Sequence, residues 1–153
     1  MTQEDKEVLL KELCARLPYN VKCKVHLDTE GYCLRDEDKY CDDTLESVNC
    51  KKQTCTFNKS IGYDFGNFAI EEVKPYLRPM SSMTEDEKRH ISKIMCLSTY
   101  VNGVVYDMTY PIYIPYYVME DCLSYLRSIH VDYSGLIEKG LALEAPANMY
   151  KID

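Results

Sequence analysis

The spacing of hydrophobic residues near the amino terminus predicts an amphipathic helix. Leu9 and Leu13 are four residues apart, which places their side chains on one face of a helix. Thr2 is a favourable amino-terminal cap, because its hydroxyl can accept from a free backbone N–H of the first turn. Pro18 cannot continue a helix. We therefore expect a helix over residues 3–16.

After this helix, hydrophobic residues recur at every second position, which indicates a half-buried strand over residues 21–27. Val21, Cys23 and Val25 alternate with polar residues along this segment. Further short hydrophobic runs, separated by acidic or Gly/Asn-rich connectors, predict a small, strongly bent antiparallel sheet or a partly closed barrel. The candidate strands are 32–34, 45–50, 54–57 and 68–73.

The segment around Pro75 and Pro79 marks a change of architecture. Each proline lacks an N–H and disfavours helical backbone in the residue before it, so this segment should be extended or turned. Thr84 with Glu87 three residues later forms a capping box, which predicts a helix over about 85–98.

The rest of the chain predicts extended edge structure and one more helix. Asn102-Gly103 is a favourable hairpin turn, and the Pro- and Tyr-rich residues 106–117 should be extended. Helical spacing predicts a helix over about 117–129, and Gly140 should end a short helical turn before a last strand near 141–143. We expect a single α+β domain with about three helices, a strand-rich part at about 17–79 and a helix-led part at about 80–153.

Composition favours a globular protein of a reducing compartment. The 153 residues, 46% of them hydrophobic, are enough for one domain with a real core. No run approaches the ~20 apolar residues of a membrane span, and the amino terminus has no export-signal pattern. We therefore expect a cytoplasmic protein whose eight cysteines are free thiols.

Acidic residues are concentrated in one segment, which carries most of the formal charge of −7. Residues 28–46 hold eight carboxylates against two cations. This distribution argues against a general nucleic-acid-binding surface, which needs a basic footprint. It is compatible with a solvated loop or with a face for a basic protein partner, formed by Asp36, Asp38, Asp42 and Asp43.

Motifs for metals, cofactors and catalysis are largely missing from the sequence. Cys50 and Cys55 are the closest approach to zinc-ligand spacing, and a matching second pair is absent from their surroundings, so buried thiols are the preferred interpretation over a site that also uses Cys41 and His26. Phosphate-binding glycine loops and nucleophile-elbow patterns are absent too. We expect a protein without catalytic activity, metal or cofactor.

The chain is unusually rich in tyrosine, with 14 tyrosines and no tryptophan. A tyrosine ring can stack on a nucleobase or on a protein partner. It can equally pack at the margin of the core, where its hydroxyl reaches solvent. Arg78 precedes a helix amino terminus and can serve an anion site, although a salt bridge to the acidic first turn of that helix is the preferred alternative. The candidate ligand-binding residues are Tyr76, Arg78, Tyr106, Tyr110, Tyr113 and Tyr116.

Two stretches carry a resemblance to a known group of proteins. The sequences KPYLRPMSSMTEDEK at 74–88 and DYSGLIEKGLALEAP at 132–146 resemble a family of short proteins carried by phages and mobile elements of gut bacteria. The resemblance implies an accessory role such as counter-defence, and it implies no particular activity. We expect sequestration of a nucleotide second messenger, with an acidic module that inhibits a host protein as the alternative, in a protein that can assemble as a homo-oligomer. A small hydrolase ranks below both.

Overall fold

The computed structural model describes residues 1–27, 40–58, 67–100 and 116–150, and of residues 96–100 it describes the backbone alone. Three α-helices and seven strands lie in these residues, which confirms the predicted α+β fold. The helices are α1 (Gln3–Arg16), α2 (Glu85–Tyr100) and α3 (Tyr116–Ser128). The strands are β1 (Lys22–His26), β2 (Tyr40–Asn49), β3 (Thr54–Phe57), β4 (Phe68–Ala69), β5 (Val73–Pro79), β6 (Val131–Asp132) and β7 (Leu143–Glu144).

Helix α1 begins at the predicted cap and packs against the sheet. The Thr2 hydroxyl accepts from the Asp5 backbone N–H at 3.1 Å, and the Asp5 carboxylate accepts from the Thr2 N–H at 3.0 Å. This reciprocal pair satisfies two backbone donors that the first helical turn leaves free. Leu9 and Leu13 are fully buried on the face that the sequence spacing predicts.

Strands β1 to β4 form an antiparallel meander. The buried side chains of β1, Cys23 and Val25, face the main core, while Lys22 and Lys24 lie on the opposite face. Strand β2 begins five residues before the predicted start at 45 and so includes part of the acidic segment. Its pairing with β3 contains an irregularity between Leu45 and Ser47.

The segment around Pro75 and Pro79 forms strand β5. The run predicted as one strand over 68–73 is interrupted, because a 3-10 turn at Ile70–Glu72 separates β4 from β5. Residues 73–79 are extended, as the two prolines require, and pair antiparallel with β1. The strand boundary therefore differs from the predicted one while the extended backbone agrees with it.

The sheet is mixed rather than purely antiparallel. Strands β6 and β7 both pair with β5 in parallel, with Arg78 opposite Val131 and Tyr76 opposite Leu143. The strand order is β4-β3-β2-β1-β5-β6, with β7 on β5 beside this path, and the described strands form an open sheet. The helix-led part of the chain thus contributes two strands to the sheet of the strand-rich part.

Helices α2 and α3 pack together beside the carboxyl end of β5. The observed bounds lie within two residues of the predicted ones. A second, smaller hydrophobic cluster joins Met83, Leu126 and Val131. No helix among the described residues combines the length and apolar character that a membrane crossing requires.

A short turn after β6 connects the second cluster to the main core. The Asp132 carboxylate accepts from the backbone N–H groups of Leu136 and Ile137 at 2.9 and 2.8 Å. Gly140 ends the turn with φ +69°, the left-handed backbone that favours glycine. Leu136 is fully buried in the main core as a result.

Replacing Leu77 tests whether β5 is anchored in the main core. Leu77 has no exposed surface, so Leu77→Ala should lower the free energy of unfolding by about 2–5 kcal/mol. Met80 follows three residues later and is 48% exposed, so Met80→Ala should change stability by less than ~0.5 kcal/mol. Chemical denaturation of both variants measures the difference, and equal losses would contradict the described core.

Candidate functional site

A cleft of about 430 Å³ opens beside the carboxyl end of β5. The 3-10 turn Leu17–Tyr19, the start of β1 and the residues that follow α3 form its walls, and residues 149 and 150 close one side. The side chains that matter for its chemistry are Tyr19, Lys22, Arg78, Glu87, His130 and Tyr150.

Arg78 lies in the cleft wall and is held by several partners. Its backbone N–H donates to the His130 carbonyl at 2.8 Å. Its two terminal nitrogens donate to the two Glu87 carboxylate oxygens at 2.8 and 3.0 Å, and one also donates to the Ser82 carbonyl at 3.0 Å. A bidentate pair of this kind fixes both orientation and charge. The sequence prediction of a salt bridge from Arg78 to the α2 first turn is confirmed.

Glu87 serves both the helix cap and the arginine. Its carboxylate accepts from the Thr84 N–H at 2.7 Å, and the Thr84 hydroxyl accepts from the Glu87 N–H at 3.2 Å, which completes the predicted capping box. The hydrogen bond from Arg78 lowers the pKa of Glu87 below its usual value. Glu87 is therefore ionised at neutral pH and sets the position of Arg78 relative to α2.

His130 sits at the centre of the cleft and is only 7% exposed. Its backbone is left-handed, with φ +58°, and its ring stacks on Tyr150 at a centroid distance of 3.7 Å. Nδ1 of this ring has no hydrogen-bond partner. Burial, followed by the positive charges of Arg16, Arg78 and Lys22, lowers the pKa of His130 to about 4. The imidazole is therefore neutral at physiological pH.

Tyr150 ties the carboxyl-terminal segment to two strands of the sheet. Its hydroxyl accepts from the Lys22 backbone N–H at 2.9 Å and donates to the Tyr76 carbonyl at 2.9 Å. Burial raises the pKa of this phenol above its ordinary value, so it stays protonated. Among the described residues, the Lys22 ammonium donates to the Met149 carbonyl at 3.4 Å. An ammonium has three N–H donors, so this one long contact is compatible with further hydrogen bonds to a ligand in the cleft.

Arg16 adds a fully buried positive charge behind the cleft. Its side chain donates to Glu12 at 3.2 Å and to the Val131 carbonyl at 2.9 Å, while Nη1 has no hydrogen-bond partner. The guanidinium also lies 5.1 Å from the Tyr133 ring centroid, within cation–π range. Arg16 therefore fixes α1 to β6 next to His130 and raises the electrostatic potential there.

The candidate ligand residues predicted from sequence occupy different environments. Tyr76 is 8% exposed and its hydroxyl donates to Asp42 at 2.8 Å, so its side chain is engaged within the sheet. Arg78 lines the cleft. Tyr116 is 79% exposed at the start of α3, in a segment predicted as extended edge structure. The other three, Tyr106, Tyr110 and Tyr113, lie outside the described residues.

The predicted acidic partner face falls partly within the structure. Asp42 is exposed on β2, whereas Asp43 is 6% exposed and accepts from the Thr44 N–H at 2.6 Å. Neighbouring residues of a strand point to opposite faces, which accounts for the difference. Asp36 and Asp38 lie outside the described residues.

The thiols proposed as alternative metal ligands lie on different elements of the sheet. Cys41 lies on β2 with His26 nearby, Cys50 is exposed at the turn after β2, and Cys55 is buried on β3. The described part of the chain contains no group of three or more cysteine, histidine or carboxylate side chains arranged to hold a metal ion.

Sequence reasoning identified Arg78 but missed the residues that meet it. Lys22 was placed correctly on the polar face of its strand, yet its pairing with Tyr150 joins positions 128 residues apart. His130 follows an apolar helix face, a position that in the sequence alone favours a capping or core residue. Its residue type is compatible with its backbone, because Asn, Asp and His are enriched among the few non-glycine residues that adopt left-handed backbone.

Comparison of the chain with protein-family models, with curated proteins and with solved structures found no significant match.

Replacing His130 tests its neutral state. The unfolded chain takes up a proton near pH 6.5 and the folded chain only near pH 4, so stability that is complete above pH 6.5 is lost as the pH falls. This loss amounts to about 3 kcal/mol between pH 7 and pH 4. His130→Asn removes the titrating group, and asparagine tolerates left-handed backbone, so the variant should lose less stability over that range.

His90 provides the matched control for this experiment, because it is exposed on α2. His90→Asn should keep the wild-type pH dependence. Denaturant unfolding at several pH values measures all three proteins, and a His130→Asn curve parallel to wild type would show that His130 is not held neutral.

Proposed function

We propose that this protein is a non-catalytic binding protein whose cleft takes a small, phosphate-bearing, nucleotide-like anion. The observation that carries the proposal is the convergence of three cations, Arg16, Arg78 and Lys22, on the neutral His130. Among the described residues that line the cleft, Glu87 is the only carboxylate.

Charge favours an anion over a neutral ligand. Lys22 and Arg78 line the cleft and the buried Arg16 lies behind it. Glu87 pairs with Arg78 and Glu12 pairs with Arg16, so these three cations face two carboxylates. Cations partly withdrawn from water attract an anion more strongly than fully exposed ones, because the local dielectric constant is lower. A phosphate group can also accept several hydrogen bonds at once from the Lys22 ammonium and from a guanidinium.

The size and lining of the cleft suit a nucleotide. Its volume of about 430 Å³ falls within the ~300–1,000 Å³ that is usual for small-molecule sites. Tyr19 is half-buried at the wall, and its hydroxyl lies 2.7 Å from that of Ser124, which holds the ring in place. A fixed aromatic face offers a stacking surface for a base at low entropic cost. The orphan Nδ1 of His130 gives the site one further polar group.

The biological role in this proposal comes from the resemblance of residues 74–88 and 132–146 to proteins of phages and mobile elements. A small protein that sequesters a nucleotide second messenger would deprive a host defence system of its signal, which is a counter-defence role. Sequestration needs binding without turnover, and such a site requires cations and a stacking surface but no nucleophile.

A thermal-shift experiment tests the proposal. The protein is heated alone and with cyclic mononucleotides, cyclic dinucleotides, ADP-ribose-derived signals and inorganic phosphate. A ligand present at ~100 times its Kd adds about 2.7 kcal/mol to stability, and for a protein of this size this corresponds to a rise in Tm on the order of 5–10 °C. The ligand released by heating should be chemically unchanged.

Two charge variants locate the binding to the cleft. Lys22→Gln removes a lining cation and should weaken binding about tenfold or more, whereas Lys74→Gln removes an exposed charge on β5 outside the cleft and should leave Kd unchanged. Glu87→Gln keeps the side-chain shape, removes the opposing carboxylate and should tighten binding. Failure of the whole panel to shift Tm would refute the proposal, and recovery of an altered ligand would identify an enzyme instead.

A further inference from the structure

Two cysteines from distant parts of the chain meet outside the cleft. The Sγ atoms of Cys14 and Cys50 are 3.3 Å apart, although the residues are separated by 36 positions. Cys14 lies on α1, and Cys50 lies in the turn that follows β2. The two sulfur atoms therefore connect the helix layer to the hairpin formed by β2 and β3.

The two thiols differ in access to solvent. Cys50 is exposed, whereas Cys14 is half-buried. Burial, followed by the contact with Cys50, raises the pKa of Cys14 to about 11. A dissolved oxidant therefore meets Cys50 first, and Cys14 is the internal thiol that can follow. Cys55 lies close to both but is 1% exposed, and burial raises its pKa to about 12.

We propose that Cys14 and Cys50 form a reversible oxidation site that closes to an intramolecular disulfide on reaction with a low-molecular-weight disulfide such as oxidised glutathione. The Cys50 thiolate attacks one glutathione sulfur, the S–S bond of glutathione breaks, and one glutathione thiolate leaves. The Cys14 thiolate then attacks the Cys50 sulfur of the mixed disulfide and releases the second glutathione thiolate. The two protein thiols lose two protons and two electrons, and one oxidised glutathione becomes two reduced ones.

The geometry requires little rearrangement for this reaction. A disulfide bond is ~2.05 Å long, so the sulfur atoms must approach each other by only about 1.2–1.3 Å. Strand β2 ends at Asn49 and β3 begins at Thr54, so Cys50 lies outside the paired residues of both. A shift of Cys50 toward α1 therefore leaves the hydrogen bonds of the β2–β3 ladder intact.

The Cys14–Cys50 disulfide would link α1 covalently to the turn between β2 and β3. A disulfide between residues this far apart restricts the unfolded chain and so stabilises the folded one, provided that native geometry is kept. Cys14 lies between Glu12 and Arg16 on α1, and the ion pair of those two residues also fixes this helix. The oxidised protein should consequently resist unfolding more than the reduced protein does.

Native oxidation of the purified full chain tests the proposal. The protein is incubated with oxidised glutathione, remaining thiols are blocked, and proteolytic peptides covering all eight cysteines are mapped by mass spectrometry. We expect the Cys14–Cys50 cross-link as the major product, with a loss of two hydrogen masses from the intact chain. The Tm should rise by on the order of 10 °C and return to its initial value after reduction.

Single serine variants provide the controls. Cys50→Ser alters an exposed position and should abolish both the cross-link and the rise in Tm, and Cys14→Ser should do the same. Cys122→Ser, on α3, should behave as wild type. None of these measurements needs a cleft ligand, so they stand apart from the test of the proposed function.

Three results would overturn the proposal. A predominant Cys50–Cys55 cross-link would assign the site to a different pair. A stable mixed disulfide of Cys50 with glutathione would show that Cys14 does not complete the exchange. A cross-link that leaves the Tm unchanged or lowers it would show that the bond distorts the native packing.

Discussion

Strand β5 forms hydrogen bonds with three other strands, and the arrangement of the cleft depends on these pairings. Strand β1 occupies one edge of β5, while β7 and β6 occupy the other edge in succession. Pro75 and Pro79 lack N–H groups, so β5 offers fewer donors than an ordinary strand of its length. At the cleft, the Arg78 N–H bonds to the His130 carbonyl and the Tyr76 carbonyl accepts from the Tyr150 hydroxyl.

The charged side chains at this edge of the sheet stabilise the fold and also provide the positive charge for binding. Burying Arg16 is costly in isolation, and Glu12, the Val131 carbonyl and the Tyr133 ring offset that cost. The Tyr133 hydroxyl extends the network by donating to Glu12 and accepting from Arg127. Glu12 fixes Arg16 and Glu87 fixes Arg78, while Lys22 adds a third cation, so the cations outnumber the carboxylates around His130. The same groups that hold α1, α2 and β6 in place thus create a positive potential at the cleft.

The parts of the fold that were predictable from sequence are those governed by local chemistry. The caps at Thr2 and Thr84, the alternating strand β1 and the extended backbone between Pro75 and Pro79 all follow from the interactions of near neighbours in the chain. The ion pair between Arg78 and Glu87 was also predictable, because the two residues are nine positions apart.

The parallel pairings of β6 and β7 were not predictable in the same way. Each of these strands has only two residues, too few for a hydrophobic period to appear. The cleft was missed for a related reason, since His130 and Tyr150 acquire their roles through tertiary contacts with Arg78 and Lys22 that leave no local pattern. The Cys14–Cys50 contact likewise joins a helix to a distant turn.

The contacts that complete the cleft also constrain the order in which the chain can fold. Tyr150 bonds to Lys22 across 128 residues, and Arg16 bonds to Val131 across 115. Contacts of such long range are slow to form, because the entropy of closing a large loop must be overcome before they contribute. During synthesis from the amino terminus, α1 and the β1–β2–β3 meander emerge well before residue 150 leaves the ribosome. The cleft can therefore be completed only after residue 150 has been synthesised.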